Sequence, residues 1–171
     1  MSRDRLKKLA RNIDGLLEKD ELLAKHALEI AGMRRAAAAE LHALFVRFTS
    51  EVNDLLSTAH LVLDPPAFSP DTYRDFGVNM IQLNVRGRII QLEFEAPERL
   101  VSTENFRVPY ILEGAVRCFN QELLDREQVE EQLLFYCLEK HRHAWRYFDA
   151  RTYHTGLFDQ DYLIGLLERI V

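Results

Sequence analysis

NMIQLNVRGRIIQLEFE, residues 79–95, is the stretch that decides the fold. Ile81, Leu83 and Val85 alternate with Gln82, Asn84 and Arg86. After Arg86-Gly87-Arg88 the alternation resumes, with Ile90, Leu92 and Phe94 against Gln91, Glu93 and Glu95. Successive side chains of a strand point to opposite faces, so a period of two means one buried face and one polar face. Two such runs around a glycine predict a β-hairpin.

Downstream, Tyr110–Phe119 continues the pattern, with Leu112, Val116 and Cys118 inward and Glu113 and Arg117 outward. Residues 125–140 carry two conflicting signals. Asp125-Arg126-Glu127-Gln128 has the form of a capping box, with Leu124 and Val129 placed to staple it. Leu133-Leu134-Phe135-Tyr136-Cys137-Leu138 is instead a short apolar run bounded by charge, as in a central strand. A strand over 132–139, after one helical turn at most, is the reading taken, and helix over 126–140 stays open. Asp159 then caps a last helix with Leu163, Ile164, Leu166, Leu167 and Ile170 on one apolar face.

Upstream, residues 60–78 form a connector that holds three of the five prolines, in Leu63-Asp64-Pro65-Pro66 and Ser69-Pro70-Asp71. Proline lacks an N–H and biases its predecessor to extended backbone, so no helix continues here. Phe68, Tyr73 and Phe76 are expected to pack the connector onto the body. Before it, residues 3–57 contain no proline and are dominated by strong helix formers.

Within that helix a seam runs in alternating steps of three and four. It comprises Leu6, Leu9, Ile13, Leu16, Asp20, Leu23, Ala27, Ile30, Arg34, Ala37, Leu41, Leu44, Phe48, Glu51 and Leu55, and twelve of the fifteen positions are apolar. This is the spacing of a coiled coil. One straight helix would span roughly 80 Å. It either pairs with a second copy or folds back as a helical hairpin, breaking near Glu18-Lys19-Asp20-Glu21 or at Gly32. Pairing is the expectation, with Leu6, Leu9, Ile13, Leu16, Leu23, Ile30, Leu41 and Leu44 as the contact residues. Asp20 and Arg34 are polar intruders that set register or mark a break. The small side chains of Ala36–Ala39 allow another element to come close.

The expected fold class is α+β. A long N-terminal helical region (1–59) and the connector (60–78) precede a sheet domain (79–171) of four or five antiparallel strands. A C-terminal helix covers one face.

Chemistry concentrates in KHRHAWRYFDARTYHTG, residues 140–156. Histidines one residue apart on a strand share a face, so His141, His143 and Asp149, joined by His154 from the next turn, are the candidate metal ligands. The competing reading, which is preferred, makes Lys140–His143 a solvated hairpin loop. Arg142, Trp145, Arg146, Tyr147, Phe148, Arg151 and Tyr153 combine rings and cations as a single-strand nucleic-acid platform does. Trp145 and Phe148 nevertheless fall on opposite faces, and the acidic sheet face repels phosphate. Trp145 and Arg146 are read instead as part of a protein-contact surface. The polar face itself, with Gln82, Asn84, Arg86, Gln91, Glu93, Glu113 and Arg117, is either a binding surface for a small polar ligand or simply wet.

The whole composition narrows the classes further. At 171 residues, 47% apolar, the chain buries a full core. A net charge of −5 argues against a nucleic-acid binder, although Arg3, Arg5, Lys7, Lys8 and Arg11 make the first turns basic. Cys118 and Cys137 suit two buried, reduced thiols rather than a disulfide scaffold. No signal peptide or membrane span is evident, so a cytoplasmic chain is expected. Phosphate-binding glycine loops, HExxH, CxxC and GxSxG motifs are all missing. No catalytic residue, metal or cofactor is assigned. The function expected is a non-enzymatic interaction module that forms a homodimer through its first helix and engages a protein partner. A small-ligand or metal-binding domain, including a hydrolase, is the alternative, and a nucleic-acid accessory protein the third.

Overall fold

Residues 79–95 form the hairpin that their alternation predicts. In the computed structural model β2 (Asn79–Val85) and β3 (Arg88–Glu95) pair antiparallel, with Ile81 opposite Leu92 and Leu83 opposite Ile90. Arg86 (φ 51°) and Gly87 (φ 83°) both sit in the left-handed region, as a two-residue type I′ turn requires. The Asn84 side chain accepts from the Gly87 N–H at 2.9 Å and closes the turn.

The structure describes residues 2–69, 71–98, 108–126 and 129–171. The remaining elements are α1 (Ser2–Leu55), β1 (Val62–Asp64), β4 (Tyr110–Phe119), α2 (Gln121–Asp125), β5 (Glu130–Cys137), β6 (Ala144–Asp149), β7 (His154–Leu157) and α3 (Gln160–Glu168). All seven strands form one antiparallel sheet whose spatial order is the chain order, a meander. The α+β class holds, but the sheet has seven strands rather than four or five. The two extra are β1, inside the expected connector, and β7, inside the expected approach to the last helix. At three and four residues they are too short to show alternation.

The helix alternative over 126–140 is overturned by β5. Asp125 ends α2 rather than opening a helix, and residues 127 and 128 of the capping box lie outside the described residues. α1 is one helix through Glu18–Glu21 and through Gly32, so the helical hairpin is also excluded.

Contacts divide the chain into two units, Met1–Met33 and Arg34–Val171. The second unit has the core. Ala37, Ala38, Leu41, Phe45 and Phe48 of α1 are buried, as are Ile81, Leu83, Ile90, Leu92, Val116 and Leu134 of the sheet. Trp145 is the anchor: its Nε1–H donates to the Ala37 carbonyl at 2.8 Å, and its ring meets Phe94 and Tyr136 edge-on at 5.3 and 5.4 Å. The small alanines are what admit an indole this close to the helix backbone.

Arg34 also finds its role here. β4 is irregular between Tyr110 and Leu112, so Ile111 has no partner in the ladder. The buried Ile111 carbonyl instead accepts from Arg34 Nε at 2.9 Å. α1 ends in a clasp: Asn53 accepts from the Leu61 N–H (2.7 Å) and donates to the Leu61 carbonyl (3.0 Å), turning the chain into β1. His42 is buried and donates from Nε2 to the Pro65 carbonyl at 2.7 Å. Tyr73 is buried and Phe68 half-buried, but Phe76 is 94% exposed and does not pin the connector down. Asp159 caps α3 as expected, accepting from the Tyr162 N–H at 3.0 Å. Leu163, Leu166 and Ile170 are buried, whereas Ile164 stays exposed.

The opposite sheet face is polar only in part. Beside Gln82, Gln91, Glu93 and Arg117 lies a second apolar cluster of Tyr110, Phe135, Cys137 and Phe148. β5 is therefore buried on both faces, which is why its sequence is a continuous apolar run and not an alternation.

Candidate interaction surfaces

The seam of α1 splits in two. Leu41 is 1% exposed and sits in this chain's own core, so it is not left for a second copy, and Leu44 is half-buried. Among residues 3–29, by contrast, every one but Gly15 is exposed. Leu6, Leu9, Ile13, Leu16 and Leu23 are 50 to 67% exposed, and Ile30 is half-buried. Leu17, Leu22 and Leu28 are exposed as well. A single three-four seam passes over them, although the adjacent pairs Leu16-Leu17 and Leu22-Leu23 signal a wider apolar stripe. Asp20 is exposed within this row.

Trp145 and Arg146 do not form a displayed surface. Trp145 is 3% exposed, and Arg146 Nε is held by Glu139 at 2.6 Å. Tyr147 stacks on Tyr162 with centroids 4.0 Å apart, and Phe148 is buried. Of Trp145, Tyr147, Phe148 and Tyr153 only Tyr153 is exposed, so these four present no row of rings to nucleic-acid bases.

The candidate metal ligands fall into two groups. His141 and His143 lie exposed in the turn between β5 and β6, as the loop reading has it. Asp149 and His154 are paired partners at the far end of β6. Among the described residues no group of three His, Cys, Asp or Glu is placed to hold a metal ion. Asp149 has a structural task instead. Its carboxylate accepts from the Arg151 N–H (2.9 Å) and from the Gln132 side chain (3.4 Å), and its carbonyl from the Tyr153 N–H (2.8 Å). Hydrogen bonding from the Arg151 backbone holds the Asp149 carboxyl below its ordinary range.

On the partly polar face, Arg117 links three strands by reaching Glu93 at 2.8 Å and Glu131 at 2.5 Å. These hydrogen bonds raise the guanidinium's already high pKa, so it stays charged and committed to carboxylates. A cavity of about 370 Å³ lies beside it, bordered by Glu93, Glu95, Glu113, Tyr110 and Phe135. Burial, with a hydrogen bond to Glu113, pushes the Tyr110 hydroxyl up to about 12. Three carboxylates against one engaged arginine make this cavity acidic, unsuited to a phosphate. Gly114 lies in its floor because β3 passes so close that a Cβ there would sit 1.9 Å from the Glu93 carbonyl oxygen.

Cys118 and Cys137 are buried and free. Desolvation pushes both thiols up to about 12, so neither is a nucleophile. No helix among the described residues is long and apolar enough to cross a membrane. Comparison with protein-family models, with curated proteins and with solved structures found no match.

Proposed function

We propose that this chain is a non-enzymatic protein–protein interaction module that forms a homodimer through residues 6–30 of α1. The observation that supports it is the exposed row Leu6, Leu9, Ile13, Leu16 and Leu23 at coiled-coil spacing. Helices in proteins draw most of their stability from packing an apolar face, and residues 3–29 leave theirs exposed within this chain. A second copy supplies that packing, with leucine at successive d positions and the charge of Asp20 setting register. The seven-stranded body is then the part that meets a further protein. Two free, buried thiols support a reducing, cytoplasmic setting.

Light scattering after size-exclusion chromatography tests this reading. The native chain should elute at twice the 20.0 kDa monomer mass, and Ile13→Asp/Leu23→Asp at the monomer mass with the near-ultraviolet circular dichroism of the aromatic core, which lies in residues 34–171, intact. Equal masses for the two would refute it. The acidic cavity at Glu93 and Glu113 supports a second reading, a site for a small polar ligand. Native mass spectrometry of freshly purified protein should then show an adduct that Glu113→Gln loses; an adduct kept by that variant would count against it.

A further inference from the structure

The exposed part of α1 is unequal on the two sides of its seam. Counting Leu6 as position a of a heptad puts Leu9, Leu16, Leu23 and Ile30 at d. The flank beyond d, position e, is then Ala10, Leu17, Ala24 and Ala31, all apolar. The flank before a, position g, is Arg5, Asn12, Lys19 and His26, all polar. Ala10, Leu17 and Ala24 are exposed in the single chain, Leu17 by 57%. A contact made through the seam alone leaves this apolar flank in water.

Parallel and antiparallel pairing treat the flanks differently. In a parallel pair each e position lies beside a g position of the other copy. Arg5 then lies against Ala10, Asn12 against Leu17 and Lys19 against Ala24, polar against apolar with no ion pair formed. In an antiparallel pair e faces e and g faces g. With Leu6 level with Ile30 of the second copy, Ala10 meets Ala24 and Leu17 meets Leu17, so the apolar flanks cover each other. Lys19 stays on the polar edge, with the Asp20 carboxylates beside it. Charge points the same way. Residues 3–11 hold five cations and one carboxylate, and residues 12–30 hold five carboxylates and two lysines. Parallel pairing sets the two basic ends side by side, whereas antiparallel pairing lays each along the acidic part of the other copy.

We propose that residues 6–30 pair antiparallel with a second copy, Leu6 level with Ile30 and the twofold axis beside Leu17 and Glu18. This rests on the homodimer reading and adds the direction of the second copy, which decides what the dimer can hold. At 1.5 Å per residue, Met33 of one copy stands about 45 Å along the pair from Met33 of the other. The two copies leave the pair at opposite ends. The dimer is then a two-ended bridge that keeps two partner molecules apart, rather than a clamp that closes on one.

The test is double electron–electron resonance on the full chain, nitroxide-labelled at one introduced cysteine, Asp4→Cys or Glu18→Cys. Both positions are exposed and lie opposite the seam, and the native Cys118 and Cys137 are buried. Glu18 is level with its own mate, whereas residue 4 lies roughly 28 residues, about 40 Å, along the axis from its mate. The distance at Asp4→Cys should therefore exceed that at Glu18→Cys by at least about 20 Å. In a parallel pair the two are equal. Equal distances, or a shorter one at Asp4→Cys, would overturn the proposal. Absence of a dipolar signal from both labels would overturn it too at dimer mass, and at monomer mass would refute the homodimer reading instead.

Discussion

Leu16 and Leu41 both lie on the apolar seam of one helix, and truncating each to alanine should give opposite phenotypes. Leu41 is 1% exposed within the core of residues 34–171, so Leu41→Ala leaves a cavity among Phe45, Phe48 and the sheet. Such truncations cost about 2–5 kcal/mol of unfolding free energy, whatever the protein concentration. For a chain of this size that is a melting shift of roughly 5–15 °C. Leu16 is 59% exposed in the single chain, so that share of its side chain is left to bury on association. At about 1.5–3 kcal/mol for burying a whole leucine, the loss is roughly 1–2 kcal/mol per chain, hence about 2–4 kcal/mol per dimer. The dissociation constant should rise by a factor of roughly 30 to 1,000. Urea unfolding at several protein concentrations separates the two. Leu41→Ala should lower the midpoint equally at every concentration, and Leu16→Ala should weaken mainly the concentration dependence. Equal, concentration-independent losses for both would refute the division of the seam.

Other expectations concern the body. Both thiols should be silent to a thiol-specific dye in the native chain at pH 8 and react fully in denaturant; fast native labelling of Cys118 or Cys137 would contradict their burial. The folded-state pKa of Asp149 is depressed, so its contribution is complete above about pH 4 and is lost as pH falls below that. Asp149→Asn should therefore be less stable at pH 7 and show a shallower acid dependence than the native chain in pH-dependent urea melts; an unchanged slope would remove that role. Gly114→Ala should cost about 3 kcal/mol or more, the upper end of overpacking, since its Cβ meets rigid β3 backbone. A near-native melt would show that β3 and β4 separate easily.

What could be read from residues alone depended on period and length. The 79–95 hairpin, the turn at Arg86-Gly87 and the Asp159 cap were legible, because each is a local pattern with one physical cause. β1 and β7 were not, since three or four residues carry no period. Their pairing comes from neighbouring strands rather than from propensity. The seam was legible as a pattern but not as a partner: Leu16 and Leu41 look alike in sequence, and only the sheet shows which one is already covered. Trp145 and Arg146 looked like surface because tryptophan and arginine are common at interfaces; one proved an anchor to Ala37 and the other an ion pair with Glu139.

Sedimentation equilibrium of the unmodified chain, from 1 to 100 μM, bears most directly on the proposal that residues 6–30 pair with a second copy. The account predicts a monomer–dimer equilibrium that reaches twice the 20.0 kDa chain mass within this range. A single species at the monomer mass throughout would contradict it.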